Sequence, residues 1–145
     1  MAEYTNFHSS LLRFCKLFAD DRNSFGDNLA VVNFDAHSEI EDLPKQDVIG
    51  VSNYQLTVEE EGHEIEAMIG VSTVEDTNNF RLADQVDRLL QQLMPESIIP
   101  VVEPGTAIQV GIMTIAAGTK AMPVSGSALR PGVFIHIRAL SRRVT

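Results

Sequence analysis

Two runs, VIGVSNYQLTV (48–58) and EIEAMIGVSTV (64–74), flank the acidic link EEEGH, and this pair constrains the fold more than any other stretch of the chain. Each run alternates apolar with small or polar residues, the period-two pattern of a strand with one buried face. The glycine in the short link predicts a long β-hairpin with a solvated acidic tip. Tyr54, Leu56 and Val58 fall on one face of the first strand, and Ile65, Ala67, Ile69 and Val71 on one face of the second. A lone hairpin is at best marginally stable in water, so its apolar face needs a cover. The cover follows at once in NNFRLADQVDRLLQQLMP, where Phe80, Leu82, Val86, Leu89, Leu90 and Leu93 recur at helical spacing. Thr77, Asn78 and Asn79 offer caps, and Pro95 supplies a stop.

The remaining segments fit around this unit. Phe7, Leu11, Leu12, Phe14, Cys15 and Phe18 predict an amphipathic helix over about 7–19, and NLAVVNF (28–34) reads as a short strand. AIQVGIMTIAA (107–117) and GVFIHIRAL (132–140) add two strands. Long loops are expected near 35–47 and 118–132, the latter well beyond the few residues that a hairpin needs. The predicted order is α-β-ββ-α-β-loop-β. It points to an α+β two-layer sandwich, a mostly antiparallel mixed sheet with about two helices packed on one face. A chain of 145 residues suits a single domain over 1–145.

Charge divides the chain. Residues 1–76 hold sixteen acids against four Lys/Arg (net −12), and residues 77–145 hold four against seven (net +3). From Pro104 onward there are only bases: Lys120, Arg130, Arg138, Arg142 and Arg143. The division suits two halves facing each other within one fold. It equally suits complementary faces that meet between subunits, where opposite potentials fix orientation. The overall charge of −9 and the lack of aromatics interleaved with bases argue against nucleic-acid binding. No apolar run reaches the length of a membrane span, and the N-terminus lacks a signal-like pattern, so a protein made in the cytoplasm is expected.

Motifs of chemistry are sparse. GTKAMPVSGSALRPG lacks the spacing of a phosphate loop and leads into a strand. His8, His37, His63 and His136 form no ligand pair, and EEEGHE lacks the acid spacing of a calcium loop. His63 is expected in a turn and His136 on the less buried face of its strand. Asp35 and His37 in FDAH offer an acid and a base, with no nucleophile motif beside them. The single Cys15, set in LLRFCKLF, reads as a small buried hydrophobe. The sequence predicts neither enzyme activity, a cofactor nor a metal site.

A hairpin that ends in a Thr/Asn-rich turn and enters a Leu-rich helix, VIGVSNYQLTV…EIEAMIGVSTVEDTNNFRLADQVDRLLQQL, followed by the terminal GVFIHIRAL, resembles the tail-terminator (tail-completion) proteins of long-tailed bacteriophages. The likeness is architectural and runs from about Asn28 to Leu140. It implies a homo-hexameric ring in the virion, at the head–tail junction. Such a ring caps the tail tube, stops its polymerisation and joins it to the head connector or stopper, and the family has no catalytic residues. On this reading Lys120, Met122, Val124, Leu129 and Arg130 of the long loop, with Arg138, Arg142 and Arg143, are expected as assembly contacts. The loop is expected to order on assembly. Glu59, Glu60 and Glu61, or the 35–47 loop, are expected to line the lumen, where acids repel DNA that passes without specific binding. Three other readings stay open: another head–tail or tail ring subunit (stopper, tube or baseplate), a small α+β adaptor or ligand-binding domain outside phages, and a small hydrolase or metal enzyme built on Asp35 and His37.

Overall fold

A computed structural model describes residues 3–36, 43–124 and 130–142. Helix α1 (Glu3–Ser24) is followed by β1 (Leu29–Asn33), a 3-10 turn (Phe34–Ala36), β2 (Asp47–Val58) and β3 (Gly62–Ser72). A second 3-10 turn (Thr77–Asn79) opens into α2 (Phe80–Gln92), and β4 (Ile98–Val102), β5 (Gln109–Ile115), β6 (Lys120–Pro123) and β7 (Gly132–Arg142) complete the chain. The fold is α+β, a mostly antiparallel mixed sheet with two helices packed against it. Strand order is β1-β2-β3-β7-β5-β4, with β6 also paired to β7, and among the described residues only β1 and β2 run parallel.

β3 and β7 form the spine, in register from Gly62↔Arg142 to Ser72↔Gly132. Residues facing each other in a ladder share a face, so Ile65, Ala67, Ile69 and Val71 join Ala139, Ile137, Ile135 and Val133 beneath the helices. Ile49 and Val51 of β2 lie on this inner face too. Further along β2 the register shifts between Ser52 and Gln55, where Asn53 takes a left-handed φ of 51°. This bulge moves the inward set from odd to even positions, so that Leu56 faces Ile65. Asp35 holds the bulge, accepting bonds from Ser52 Oγ at 2.9 Å and from the Asn53 N–H at 3.5 Å.

α1 buries Phe7, Leu11, Cys15, Phe18 and Ala19, which recur every three or four positions, and touches β1, β2 and β4. Because β1 and β4 stand at opposite ends of the strand order, contact of one helix with both means that the sheet curls around it. Side chains of α1 also bond each edge. Asn23 accepts from the Leu29 N–H at 2.7 Å and donates to the Leu29 carbonyl at 3.0 Å, replacing a neighbouring strand. Ser10 accepts from the Val102 N–H at 2.9 Å and lies 3.4 Å from its carbonyl. Thus α1 is a crossbar between the two sheet edges.

Several boundaries differ from those expected. α1 is longer than 7–19, extended by the polar turns at both ends, and β4 was not anticipated. Pro100 breaks the strand signal of SIIPVV, yet proline is compatible with an edge strand, and β4 is one. The expected loop 118–132 begins instead as β6, so the β6–β7 connection is a hairpin closed by the Val124 N–H donating to the Gly132 carbonyl at 2.9 Å. α2 is capped by Asp76 rather than by Thr77, Asn78 or Asn79. Its carboxylate accepts from the N–H groups of Arg81 (3.0 Å) and Leu82 (2.8 Å) and from the Thr73 hydroxyl (2.9 Å). Asn78 and Asn79 take left-handed φ values of 57° and 58°, which asparagine tolerates better than most residues.

Candidate functional site

The helices cover one side of the sheet; its outer side divides into two regions. At one end Phe34 folds back over the sheet and meets Phe134 edge to face, with ring centroids 5.3 Å apart. Gly70 lies beneath both rings, and a Cβ there would meet Phe134 at 2.4 Å and Phe34 at 2.8 Å. Next to this pair Met122 faces Phe134 and Lys120 faces His136, with Arg138 two residues further along β7 on the same side. Beyond them Leu140, Thr114 and Ile98 form a cross-strand row, beside Ile112 and Pro100. Leu140 (49% exposed), Ile112 (43%) and Ile98 (58%) are open to solvent.

This outer face gathers three of the expected assembly residues, Lys120, Met122 and Arg138, which the pairing of β6 with β7 brings together. Arg138 Nη1 lies 3.5 Å from Glu64 Oε1 on β3. Arg142 stands at the end of β7, exposed, and Val124 is half-buried at the end of β6. Leu129 and Arg143 lie outside the described residues, as does His37. The apolar neighbours Ile98, Ile112, Phe134 and Leu140 were not anticipated. The signal that could have marked Phe134 and Leu140 is the alternation of GVFIHIRAL itself, which places Phe134, His136, Arg138 and Leu140 opposite Ile135, Ile137 and Ala139.

Arg130 corrects the expectation of an assembly contact. It is only 5% exposed and its guanidinium is engaged inside the fold, donating to the Ser72 hydroxyl (3.1 Å) and to the carbonyls of Pro44 (2.5 Å) and Gln46 (2.8 Å). Burial lowers its pKa from the ordinary arginine value, partly offset by the Asp47 charge. Nearby, Asp47 receives Arg81 through Nε at 3.0 Å and Nη2 at 3.2 Å, a two-pronged pair, and also accepts from the Val74 N–H. The bond from Asp47 and its charge raise Arg81 further. Burial alone would raise Asp76, but the Arg81 and Leu82 N–H groups, the Thr73 hydroxyl and the Arg81 charge outweigh it and hold the carboxyl below its ordinary value. These groups lock the starts of β2 and α2 to the end of β3.

A cleft of about 580 Å³ opens where β5 and β7 part, since they pair only at Thr114 and Ile115. His63, placed on β3 and 3% exposed rather than in a solvated turn, lies here with Nε2 2.7 Å from Glu3 Oε2. The imidazole is turned so that this contact is not a straight hydrogen bond. Asn6, Glu103, Ser141 and Arg142 complete the polar lining. Among the described residues no trio of His, Cys, Asp or Glu stands close enough to hold a metal. His136 sits half-buried on the outer face, as its alternation predicts. Cys15 is buried, which pushes its thiol up to about 12. Glu59, Glu60 and Glu61 are exposed at the β2–β3 tip. Among the described residues no helix is long and apolar enough to cross a membrane.

Neither a family model nor a curated protein matches this chain.

Proposed function

We propose that this chain is a structural subunit of a ring, of the tail-terminator type, which caps a tail tube and presents a face to the head connector in a phage virion. The observation that carries the reading is the outer face of the sheet. Ile98, Ile112 and Leu140 stand exposed beside Lys120 and Arg138, on a sheet whose other side is already filled by two helices. A contiguous exposed apolar patch rimmed by charge is the mark of a protein–protein surface. Its burial contributes roughly 25 cal/mol per Å² of apolar area covered. The division of charge supports the same reading. Strands β1–β3, at one end of the sheet order, come from the acid-rich half, and β4–β7, at the other end, from the base-rich half. Unlike patches on one subunit suit the head-to-tail contacts of a closed ring. Among ring subunits, a terminator stops at one ring whereas a tube protein polymerises without limit. The reading assigns no catalysis, cofactor or membrane contact, and DNA passes through the ring without specific binding.

Sedimentation of the wild-type chain and of I112K/L140K across a wide concentration range tests this. The proposal expects wild type to reach one discrete oligomer, and the double variant to need at least tenfold more protein to do so. A wild-type chain that stays at 16.0 kDa or its dimer throughout would favour the adaptor or ligand-binding reading instead.

A further inference from the structure

A groove of about 560 Å³ lies where the two ends of the curled sheet approach each other across α1. Val31 and Asn33 of β1 form one wall, the end of β4 at Val102 the other, and Leu12, Arg13 and Lys16 of α1 the floor. The β1 wall is an open strand edge. Asn23 already takes the Leu29 N–H and carbonyl, which identifies the side of β1 that faces away from β2. Backbone groups alternate along a strand, so those of Val31 point the same way, and they have no partner among the described residues. The groove therefore offers unpaired backbone, half-buried Leu12 and Val31, and the cations of α1.

We propose that this groove receives the Val58–Glu61 tip of the β2–β3 hairpin from a second copy of the chain. The inference rests on the ring reading above and names two of its contacting surfaces. Charge selects this occupant. The tip carries Glu59, Glu60 and Glu61 beside Val58, which is 60% exposed. In the groove Arg13 has no ion pair among the described residues, and Lys16 has only the exposed i,i+4 partner Asp20 at 2.8 Å, an interaction of small worth that can be exchanged. Glu103 at the rim and Asp20 beside Lys16 balance these two cations overall, so what the groove holds for an acidic tip is the unpaired Arg13 and a Lys16 whose exposed partner can be exchanged. Val58 matches Leu12 and Val31 in the apolar part of the contact. Tip and groove are different surfaces, so the contact is heterologous and propagates around a ring. It places the three glutamates between subunits rather than in the lumen.

Charge reversal tests the pairing. R13E/K16E and E59K/E60K/E61K are each measured alone by light scattering, then mixed in equal amounts. The proposal expects each variant alone to need at least tenfold more protein to assemble, and the mixture to recover, because each supplies the complement that the other lacks. Should a reversal unfold the chain, Arg13→Cys and Glu60→Cys proteins are mixed under mild oxidation. A disulfide between copies is expected only in the mixture, with the buried native Cys15 silent. Assembly of both reversals at the wild-type concentration, or no disulfide in the mixture, overturns this contact while leaving the ring reading intact. A wild-type chain that never assembles removes both.

Discussion

Two regions at opposite ends of the outer sheet use polar and apolar groups in opposite ways. At the corner built by Arg130, Ser72, Asp47, Arg81 and Asp76, each charged group meets carbonyls, N–H groups, hydroxyls or an opposite charge inside the same chain. Around Ile98, Ile112 and Leu140, large apolar side chains face solvent, and Lys120 stands exposed beside them. A charge whose bonds are already made belongs to the architecture. An apolar side chain left in water on an otherwise well-filled sheet is available to a partner. The same arginine-rich C-terminal half therefore holds both kinds of residue, and charge along the sequence does not separate them.

Breaking the corner has the largest expected effect. Arg130→Ala leaves the buried carbonyls of Pro44 and Gln46 without their donor and is expected to lower folding stability by about 3 kcal/mol, read from urea unfolding. Gly70→Ala tests the boundary between the regions. The new methyl must displace Phe134 and Phe34, a cost of about 2 kcal/mol for overpacking, visible as a fall in Tm. Asp76→Ala removes the cap of α2 and is expected to cost about 1–2 kcal/mol at neutral pH.

Asp76 also gives the corner a pH dependence with a definite sign. Its folded carboxyl binds a proton less readily than the ordinary value of 3.8, so its contribution is complete above that value and fades as pH falls through the lower folded pKa. Unfolding followed from neutral pH to about pH 2 is expected to show this acid loss in wild type and a smaller one in Asp76→Asn. The smallest effect on folding is expected on the open face. Ile112→Ser with Leu140→Ser is expected to change monomer stability by only about 0.5 kcal/mol while weakening association, a split that no substitution at the corner reproduces.

The fold was legible where one physical signal acted alone. Alternation marked β2, β3 and β7, and the stripe from Leu82 to Leu93 marked α2, because each element presents one apolar face to one core. Signals that compete were harder to read. Pro100 concealed β4, and the short KAMP of β6 is a strand because β7 lies beside it, a contact that sequence spacing does not display. The site was partly legible for a related reason. Lys120 and Arg138 stood out as bases in an acidic chain, and Met122 by its place in the expected loop 118–132, but composition could not tell Arg130, turned inward, from Arg138, turned outward. That distinction depends on which side of the β6–β7 hairpin each side chain leaves, and on the carbonyls of residues 44 and 46, far away in sequence. Likewise Asp76 lay just before the three residues expected to cap α2, since two left-handed asparagines swing the chain so that the earlier carboxylate reaches the helix.

The most direct test of the central claim is imaging of the concentrated wild-type protein by negative-stain electron microscopy, with class averages sorted by symmetry. If the outer face and the β2–β3 tip make the proposed contacts, the protein is expected to give closed rings of one copy number, sixfold in the simplest case. Isolated particles of monomer size at every concentration, or filaments that never close, would contradict it.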